Sequence, residues 1–564
     1  MKSKIKIINV PGRNINFSRN INISGKIKMP GKHALVSLLI TLVIFAPVYY
    51  LIHPAVNIQN PGFWGMTICF MLVYLLIKAI RIERSHEDTE SAVLPGYIFI
   101  ALICLFLLAR FADSRIFHAK KYSSILTVQE ADTDSIPTVS ASSAIALMDT
   151  QSAEKLGDRK IGSLSHVVSQ FNVGSYMQIN YQGSPVKVAA LAYDGFFKWN
   201  SNHKNGVPGY VLVDPVSMSA EYTALQENMH YVPSAYFNED MNRHIRFKFP
   251  TVMYDGLHFE IDENGKAWYV ASVYKHTVGL FGGKQVTGAI IADPVSGKVT
   301  KYDAGDVPDW VDIVYSGDLI CMQYNDYGRL AHGFLNSMFS QSDCKQVTTL
   351  ERQDDDGDTE SYSDYGYIAI GNDIWIYTGV TSVNGDSSNI GFILSNERTE
   401  ETKYILCAGA DEFSAMRSAQ GEVQEKGYVA SFPSLINVDG VLTYIMVLKD
   451  GNDLVKMYSA VNVEQYNTVS VGATQSECLS KYRKLIGAEV PADERSYDGF
   501  EEKTITVSAI ESIVIGGDTW IYVADEDKNI YRAEYSDVIE MMFVKAGDTL
   551  TIYTDGDYFT LQKQ

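Results

Sequence analysis

Closely spaced carboxylates are the first candidates for chemistry in this sequence. Asp354, Asp355, Asp356 and Asp358 follow one another in a pattern that resembles the start of a calcium-binding loop. Such a loop has ligands at alternate positions with a glycine after the third, whereas Gly357 lies between two of these carboxylates. The pattern therefore favours a solvated acidic loop, and we predict no metal ligand.

Nucleophiles and general bases show no catalytic spacing. The eleven histidines contain no H-E-x-x-H pair, and no serine lies in a G-x-S-x-G turn. The glycine-rich segment GLFGGK at 279–284 lacks the spacing of a phosphate loop and the Ser or Thr that follows it. We predict no catalytic residue and no cofactor-binding residue.

The six cysteines leave two alternatives open. Two lie in strongly apolar segments, and four lie outside them: Cys321, Cys344, Cys407 and Cys478. No pair has C-x-x-C spacing, which disfavours zinc binding and thioredoxin-like chemistry. The four outer cysteines are either buried thiols or include at least one disulfide, for which Cys321 with Cys344 is the most local pairing.

The turn at 279–283 has an unusual composition. Leu280 and Phe281 place two large apolar side chains between glycines, where polar residues are ordinarily found. If they are exposed, they predict a contact with a partner or with lipid. The alternative is a β-bulge that folds Phe281 back onto its own sheet.

Charge is distributed unevenly along the 564 residues, whose net charge is −20. Residues 1–33 carry eight basic side chains and no acidic one, whereas residues 113–564 carry 35 basic and 63 acidic ones. Such an acidic surface repels polyanions, which argues against nucleic acid as a partner. The hydrophobic fraction of 46% is enough to build cores, which excludes a chain disordered throughout.

Three apolar runs near the amino terminus predict transmembrane helices in a lipid bilayer. Residues 34–52 are uncharged over 19 positions, enough to cross a hydrocarbon core of about 30 Å, and further runs cover 62–77 and 92–109. The basic arm and the basic end of the second run lie on the same side of a three-helix path. That side is the cytoplasm by the positive-inside rule, which predicts a multi-pass cell-membrane protein with residues 113–564 extracytoplasmic.

A hairpin phrase recurs in the acidic part of the chain. GYVLVDPVS at 209–217, GAIIADPVS at 288–296 and GFILSNERT at 391–399 each have a glycine five positions before an Asp or Asn that caps a turn. A long strand precedes each phrase, as at 185–199, and helix patterns start near 163, 234, 309 and 411. The pattern predicts tandem units of one helix and three or four antiparallel strands.

The carboxyl-terminal part adds a helix and a small all-β domain. Thr474 and Glu477 form a capping-box pattern before an amphipathic run that ends at Gly487. Short strands separated by Gly- and Asp-rich turns follow from residue 501, which predicts a barrel of the SH3-like or OB type.

The predicted fold class is α+β, with three N-terminal transmembrane helices, tandem helix-plus-antiparallel-sheet repeats and a small C-terminal β-barrel. The predicted domains are a basic cytoplasmic arm at 1–33, transmembrane helices at 34–112, a stalk at 113–146, α+β units at 147–228, 229–306, 307–408 and 409–490, and the barrel at 501–564. The third unit carries an acidic insertion at 351–364.

The helix-and-sheet unit with its Gly-to-Asp-Pro hairpin resembles the PepSY and cystatin-like domains. More widely, the chain resembles an uncharacterised family of membrane-anchored extracytoplasmic proteins of Gram-positive bacteria, through LMDTQSAEKLGDRKIG at 147–162, GLFGGKQVTGAIIADPVSGKVTKYDAGDVPDWVD at 279–312 and NDYGRLAHGFLNSMF at 325–339. This resemblance implies a location and an architecture, and it implies no activity.

Two functional hypotheses follow. The first is a non-enzymatic binding or scaffold protein of the cell envelope, whose partner is an envelope or membrane protein. The second is an envelope enzyme or peptidase regulator with a site between the repeats. A deep cleft lined by convergent ionisable groups favours the second hypothesis, and a flat Tyr-rich face favours the first.

Overall fold

The computed structural model describes residues 32–85, 90–138, 145–353, 359–363, 365–383, 388–487, 501–515, 518–554, 556 and 558–561. The chain forms two compact units, which divide between Ala112 and Asp113. The described part of the first unit is helical, and the second unit combines helices with several sheets. The predicted α+β class with apolar N-terminal helices is confirmed.

Three long helices make up the first unit: α1 (Lys32–Ile52), α2 (Pro61–Ser85) and α3 (Glu90–Ala112). All three are long and apolar enough to span a membrane. A helix suits these runs because it satisfies every backbone polar group internally, which a lipid environment requires. Aromatic side chains contribute to the packing of neighbouring helices, as the ring centroids of Phe45 in α1 and Phe70 in α2 are 5.2 Å apart.

The segment predicted as an extended stalk is folded over most of its described length. Helix α4 (Arg115–Tyr122) opens the second unit, and strand β1 (Val128–Ala131) joins a sheet in parallel pairing. Leu126 and Ile136 are buried in two different cores. The stalk prediction is therefore wrong for helix α4 and for the buried residues Leu126 and Ile136, which the Ser- and Thr-rich composition did not indicate.

Four sheets follow in chain order. The first contains β2 (Phe171–Val173), β3 (Met177–Tyr181), β4 (Ser184–Tyr193), β5 (Val207–Asp214) and β6 (Ser219–Met229). The second contains β7 (His258–Ile261), β8 (Ala267–Val278), β9 (Gly282–Ala292) and β10 (Val299–Asp303). The third combines β1 with β11 (Lys345–Val347), β14 (Gly366–Ile370), β15 (Asp373–Ser382), β16 (Ser388–Asn396) and β17 (Thr402–Ala410), while β12 (Thr349–Gln353) and β13 (Thr359–Ser363) form a separate hairpin. The fourth contains β18 (Val429–Ala430), β19 (Ser434–Val438), β20 (Val441–Lys449), β21 (Val455–Asn462) and β22 (Val469–Gly472).

A fifth sheet ends the chain. Its strands are β23 (Glu501–Ile515), β24 (Asp518–Asp525), β25 (Ile530–Glu534), β26 (Thr549–Thr554) and β27 (Phe559–Thr560). They pair in the order β25-β24-β23-β26-β27, and a bridge between Arg532 and Tyr558 brings the two ends of the sheet together. The predicted C-terminal barrel is confirmed as a nearly closed sheet, and the SH3-like or OB assignment stays a prediction.

Seven helices accompany the four sheets in the described residues: α5 (Thr150–Gly162), α6 (Ser165–Val168), α7 (Phe196–Asn202), α8 (Met241–Lys248), α9 (Gly317–Leu330), α10 (Glu412–Gly421) and α11 (Gln475–Ile486). The predicted starts at 411 and in the capping box are confirmed, since Asp411 and Thr474 cap α10 and α11. The start near 163 is confirmed by the short helix α6, while the longer α5, which begins at Thr150, was not predicted. The start near 309 is wrong, since Trp310 lies in an irregular segment ahead of α9.

The sheets share their cores with one another. Along β8, Tyr269 and Val273 pack into a core with the first sheet, whereas Val270 between them packs into a core with the third. In β20 the even-numbered Tyr444 and Met446 face the third sheet. Because successive side chains of a strand point to opposite faces, each inner sheet is covered on both sides. The tandem units drawn from the sequence therefore do not have separate cores, and their repeat character stays a prediction.

The three recurrent phrases form hairpins with the predicted turn. Each Asp or Asn accepts a backbone N–H two residues later: Val216 to Asp214 at 2.8 Å, Val295 to Asp293 at 2.9 Å and Arg398 to Asn396 at 2.8 Å. The fourth sheet has the same arrangement, with Asn452 donating to Asp450 at 2.9 Å. These carboxylates and amides organise turns, as expected for Asx turns.

Candidate functional site

Five aromatic side chains form a cluster that we call the aromatic surface: Phe196, Phe197, Trp199, Tyr236 and Phe237. The ring centroid of Phe196 lies 5.2 Å from that of Tyr236 and 5.7 Å from that of Phe197. Trp199 is buried beneath the others, whereas Phe197 is 82% exposed and Phe237 is 54% exposed. Helix α7 supplies three of the rings, and the segment just before α8 supplies the other two.

A turn creates this surface. The sequence predicted one strand over 185–199, but β4 ends at Tyr193 and α7 begins at Phe196. Gly195 between them has a φ of 84°, a left-handed conformation that favours glycine. The strand prediction is therefore wrong over its last residues, and Asp194-Gly195 is the turn signal that identifies the change.

Polar groups fix the base of the aromatic surface. Trp199 Nε1 donates to Glu239 Oε2 at 2.8 Å, and His203 Nδ1 lies 3.1 Å from Glu239 Oε1. The His203 ring also stacks on Trp199, with 4.9 Å between centroids. One carboxylate thus orients the buried indole, and the exposed rings rest on a fixed support.

The arrangement suits binding. Buried and ordered aromatic rings lose little conformational entropy when they bind, and exposed aromatic clusters mark contact sites on proteins. A flat Tyr-rich face was the feature expected to favour a binding protein, whereas this cluster combines three Phe side chains with Trp199 and Tyr236. Sequence reasoning missed it because the five rings come from segments about 40 positions apart.

The predicted partner contact at Leu280 and Phe281 is not an exposed pair. Phe281 is buried and Leu280 is half-buried, at the tip of the β8–β9 hairpin. Both backbone N–H groups donate to Asp113 Oδ2, at 2.9 Å and 2.8 Å. The turn is thus packed against the segment around α4. Phe281 is folded inwards, as in the β-bulge alternative, and a partner contact at these two residues stays a prediction.

A cavity of about 500 Å³ lies between α4 and α9. Arg115 donates from Nε and Nη2 to the two carboxylate oxygens of Asp326, at 2.6 Å and 3.0 Å. Met322, Phe334 and Met338 supply apolar lining beside this ion pair. The cavity therefore combines a fixed charge pair with apolar walls.

Three carboxylates are buried where the first three sheets meet. Glu260 accepts the backbone N–H of Asp312 at 2.9 Å, and Asp312 accepts that of Asn180 at 2.7 Å. Glu397 accepts the N–H of Gly317 at 3.0 Å. Each carboxylate accepts a backbone N–H from another segment of the chain, which is a structural use of these groups.

Burial shifts the pKa of two of these carboxylates and of a nearby amine. It raises the pKa of Asp312 well above its ordinary range, helped by the negative charge of Glu260, and raises the pKa of Glu397 to about 8. Burial likewise lowers the pKa of the Lys187 amine to about 8. Near neutral pH, Asp312 and Glu397 are consequently held mainly in their neutral, protonated forms.

All six cysteines lie in the described part of the chain and are thiols. Cys321, Cys344, Cys407 and Cys478 are buried, and burial raises the pKa of Cys407 to about 11 and of Cys478 to about 12. The structure thus selects the buried-thiol alternative, and a high pKa makes these thiols unreactive. The described residues include no group of three potential metal ligands, and Asp354–Asp358 lie outside the described residues.

No protein-family model matches the chain, and no curated protein does. Among solved structures, the chain matches the crystal structure of a point mutant of B. megaterium levansucrase. The TM-score is 0.18 and the identity 9%, over 76% of this chain and 97% of that chain. A TM-score this low does not show a shared fold, and we draw no conclusion from it.

Proposed function

We propose that this chain is a membrane-anchored extracytoplasmic binding or scaffold protein of the bacterial cell envelope. Its partner is an envelope or membrane protein, which it holds through the aromatic surface without catalysing a reaction. The exposed aromatic rings on α7 and at residues 236–237 are the observation that carries this proposal.

The proposed membrane anchor consists of the three long apolar helices. Three helices long and apolar enough to span a membrane precede the second unit. Eight basic residues in 1–33 support a cytoplasmic amino terminus and an extracytoplasmic second unit. A PepSY- or cystatin-like origin of the tandem units, within a Gram-positive envelope family, belongs to the same proposal and is supported by the recurrent hairpins.

Impermeant maleimide tests the orientation. A cysteine introduced by Ser217→Cys lies in an exposed hairpin turn and is expected to react in intact cells, whereas one introduced by Ser3→Cys is not. Labelling of the Ser3→Cys protein alone would reverse the orientation.

Substitution of the aromatic surface tests the binding function. Replacing Phe197 and Phe237 with Ser removes exposed apolar area, so we expect the melting temperature to stay nearly unchanged while the co-purifying partner is lost. Phe543, which is 77% exposed in the barrel, provides a matched control, and Phe543→Ser is expected to retain the partner. Equal retention by both variants would refute a role of the aromatic surface.

The second hypothesis, an enzyme or regulator, has one observation in its favour. Glu397 Oε2 and the side-chain amide of Asn180 have no hydrogen-bond partner within the described residues, although both residues are buried. Perturbed, incompletely paired interior charges also occur at catalytic sites. Access of a substrate to Glu397 would require the sheets to open, since this side chain is almost fully buried. Loss of an envelope hydrolytic activity in a stably folded Glu397→Gln variant would favour this hypothesis.

A further inference from the structure

A short helical segment after α9 presents an apolar face outwards. Leu335, Met338 and Phe339 lie in or next to a single π-helical turn (Asn336–Ser340), and they are 70%, 56% and 81% exposed. Met322 of α9 and Ile116 of α4 are also exposed. We call these five residues the α4–α9 surface; two of them, Met322 and Met338, line the cavity between the two helices.

The opposite face of the same segment is held in place. Phe334 packs against a small core formed by Ala119, Tyr122, Val278 and Leu330. Ser337 donates to the carbonyl oxygen of Phe334 at 2.8 Å, and Asn336 Nδ2 donates to that of Ser342 at 2.9 Å. The outward direction of Leu335 and Phe339 is therefore fixed by the packing beneath them.

Basic side chains accompany the apolar ones. Lys120 and Lys121 of α4 and Arg329 of α9 are exposed, in a unit whose sequence is otherwise strongly acidic. Two nearby carboxylates already have partners: Asp326 accepts from Arg115, and Asp343 Oδ2 lies 3.2 Å from His332 Nε2. A third, Asp318, is exposed at the cavity. A cluster of lysine and arginine beside exposed Leu, Met and Phe is the composition of a protein surface that lies on anionic lipid.

The covalent chain limits how far this surface can be from a bilayer. Only Asp113 and Ser114 separate the end of the third apolar helix from the start of α4. Three Cα–Cα steps of about 3.8 Å allow at most about 11 Å between Ala112 and Arg115. The headgroup region on each side of the hydrocarbon core is about 5–8 Å thick, so the start of α4 is within reach of it.

We propose that the α4–α9 surface is a lipid-contact surface, which rests in the headgroup region of the bilayer with Leu335, Met338 and Phe339 inserted. The basic side chains of α4 and α9 bind the phosphate groups of anionic lipids. This contact fixes the second unit on the membrane and leaves the aromatic surface for a protein partner.

Lipid-borne quenchers provide the test. The full chain, with Cys69 and Cys104 replaced by Ser, is reconstituted into phosphatidylcholine–phosphatidylglycerol vesicles and labelled with an environment-sensitive dye at Phe339→Cys. Phe197→Cys is the matched control, because Phe197 and Phe339 are 82% and 81% exposed. We expect a blue-shifted emission and quenching by spin-labelled lipid at position 339, and neither effect at position 197.

Two results would overturn the proposal. Equal quenching at positions 339 and 197, in labelled proteins with the same melting temperature, would contradict the proposed lipid contact. If the double substitution Lys120→Gln and Lys121→Gln left the quenching at position 339 unchanged, the proposed binding of anionic headgroups would be wrong. The aromatic surface takes no part in this contact, so a failure here leaves the proposed function intact.

Discussion

Lys449 and Asp149 lie 300 positions apart in the sequence and form a short ion pair, with 2.6 Å between Lys449 Nζ and Asp149 Oδ2. The pair joins the end of β20 in the fourth sheet to the N-cap of α5, which packs on the first sheet. Asp149 also accepts the backbone N–H of Ser152 at 2.9 Å. A single carboxylate thus caps a helix and connects the first and last of the four sheets.

Removal of this pair is expected to destabilise the second unit. Lys449→Met leaves the largely buried Asp149 without its cation, so we expect a loss of roughly 1–3 kcal/mol in the free energy of unfolding, measured by denaturant titration. Lys155→Met is the control, since Lys155 and Asp453 are 4.0 Å apart and both well exposed. Its expected effect is below about 1 kcal/mol, and equal losses in the two variants would contradict this account.

Glu397 predicts a pH dependence of stability. Burial raises its pKa from 4.5 to about 8, so between these values the folded chain keeps a proton that the unfolded chain has released. The stability that this group provides is complete below pH 4.5 and is lost as the pH rises through 8. Glu397→Gln should therefore match the native chain near pH 4.5 and exceed its stability at pH 8 by at least about 1 kcal/mol, equivalent to about one pKa unit.

Melting curves of the two proteins across this pH range measure the effect. Glu401→Gln changes an exposed carboxylate four residues away and is expected to leave the native pH profile unchanged. Parallel pH profiles for native and Glu397→Gln proteins would show that Glu397 is charged in the folded chain.

At the hairpin tip, residues 279–283, Phe281 is buried and Leu280 is half-buried. Phe281→Ser is expected to cost about 3–5 kcal/mol, the range for removing a buried Phe, whereas Leu280→Ser is expected to cost clearly less. The melting temperatures of the Phe281→Ser and Leu280→Ser variants measure this difference. Equal and small shifts would restore the exposed binding tip that the sequence left open.

The glycine that opens each recurrent hairpin has a close neighbour. A Cβ atom at Gly288 would lie 2.0 Å from the carbonyl oxygen of Tyr302, so Gly288→Ala forces the two strands apart. We expect a cost of about 1–3 kcal/mol in thermal or denaturant unfolding. Gly305→Ala is the control, since no atom lies within 4 Å of the added Cβ, and its effect on the free energy of unfolding should be close to zero. An equally small effect of Gly288→Ala would contradict the predicted clash.

Local features of the sequence predicted local structure well. The uncharged runs gave three helices, since apolar length alone decides whether a helix can span a bilayer. Asp214, Asp293 and Asn396 cap turns because an Asx side chain reaches the backbone two residues further on, whatever surrounds it. The caps of α10 and α11 were readable for the same reason.

Features that depend on distant residues could not be predicted. No sequence pattern indicates that β8 places Tyr269 and Val270 in two different cores, because a strand buried on both faces has no polar alternation. The stalk prediction failed for a related reason, since Leu126 and Ile136 are anchored by sheets far along the chain.

The sequence by itself determined the three long apolar helices, the turn chemistry and the terminal sheet, because each follows from neighbouring residues. Only the tertiary structure decided which apolar side chains are exposed. It buried Phe281 under a carboxylate contact from Asp113 and exposed Phe197 beside Phe237. Exposure is a property of packing between distant segments, and the spacing of residues along one strand or helix does not contain it.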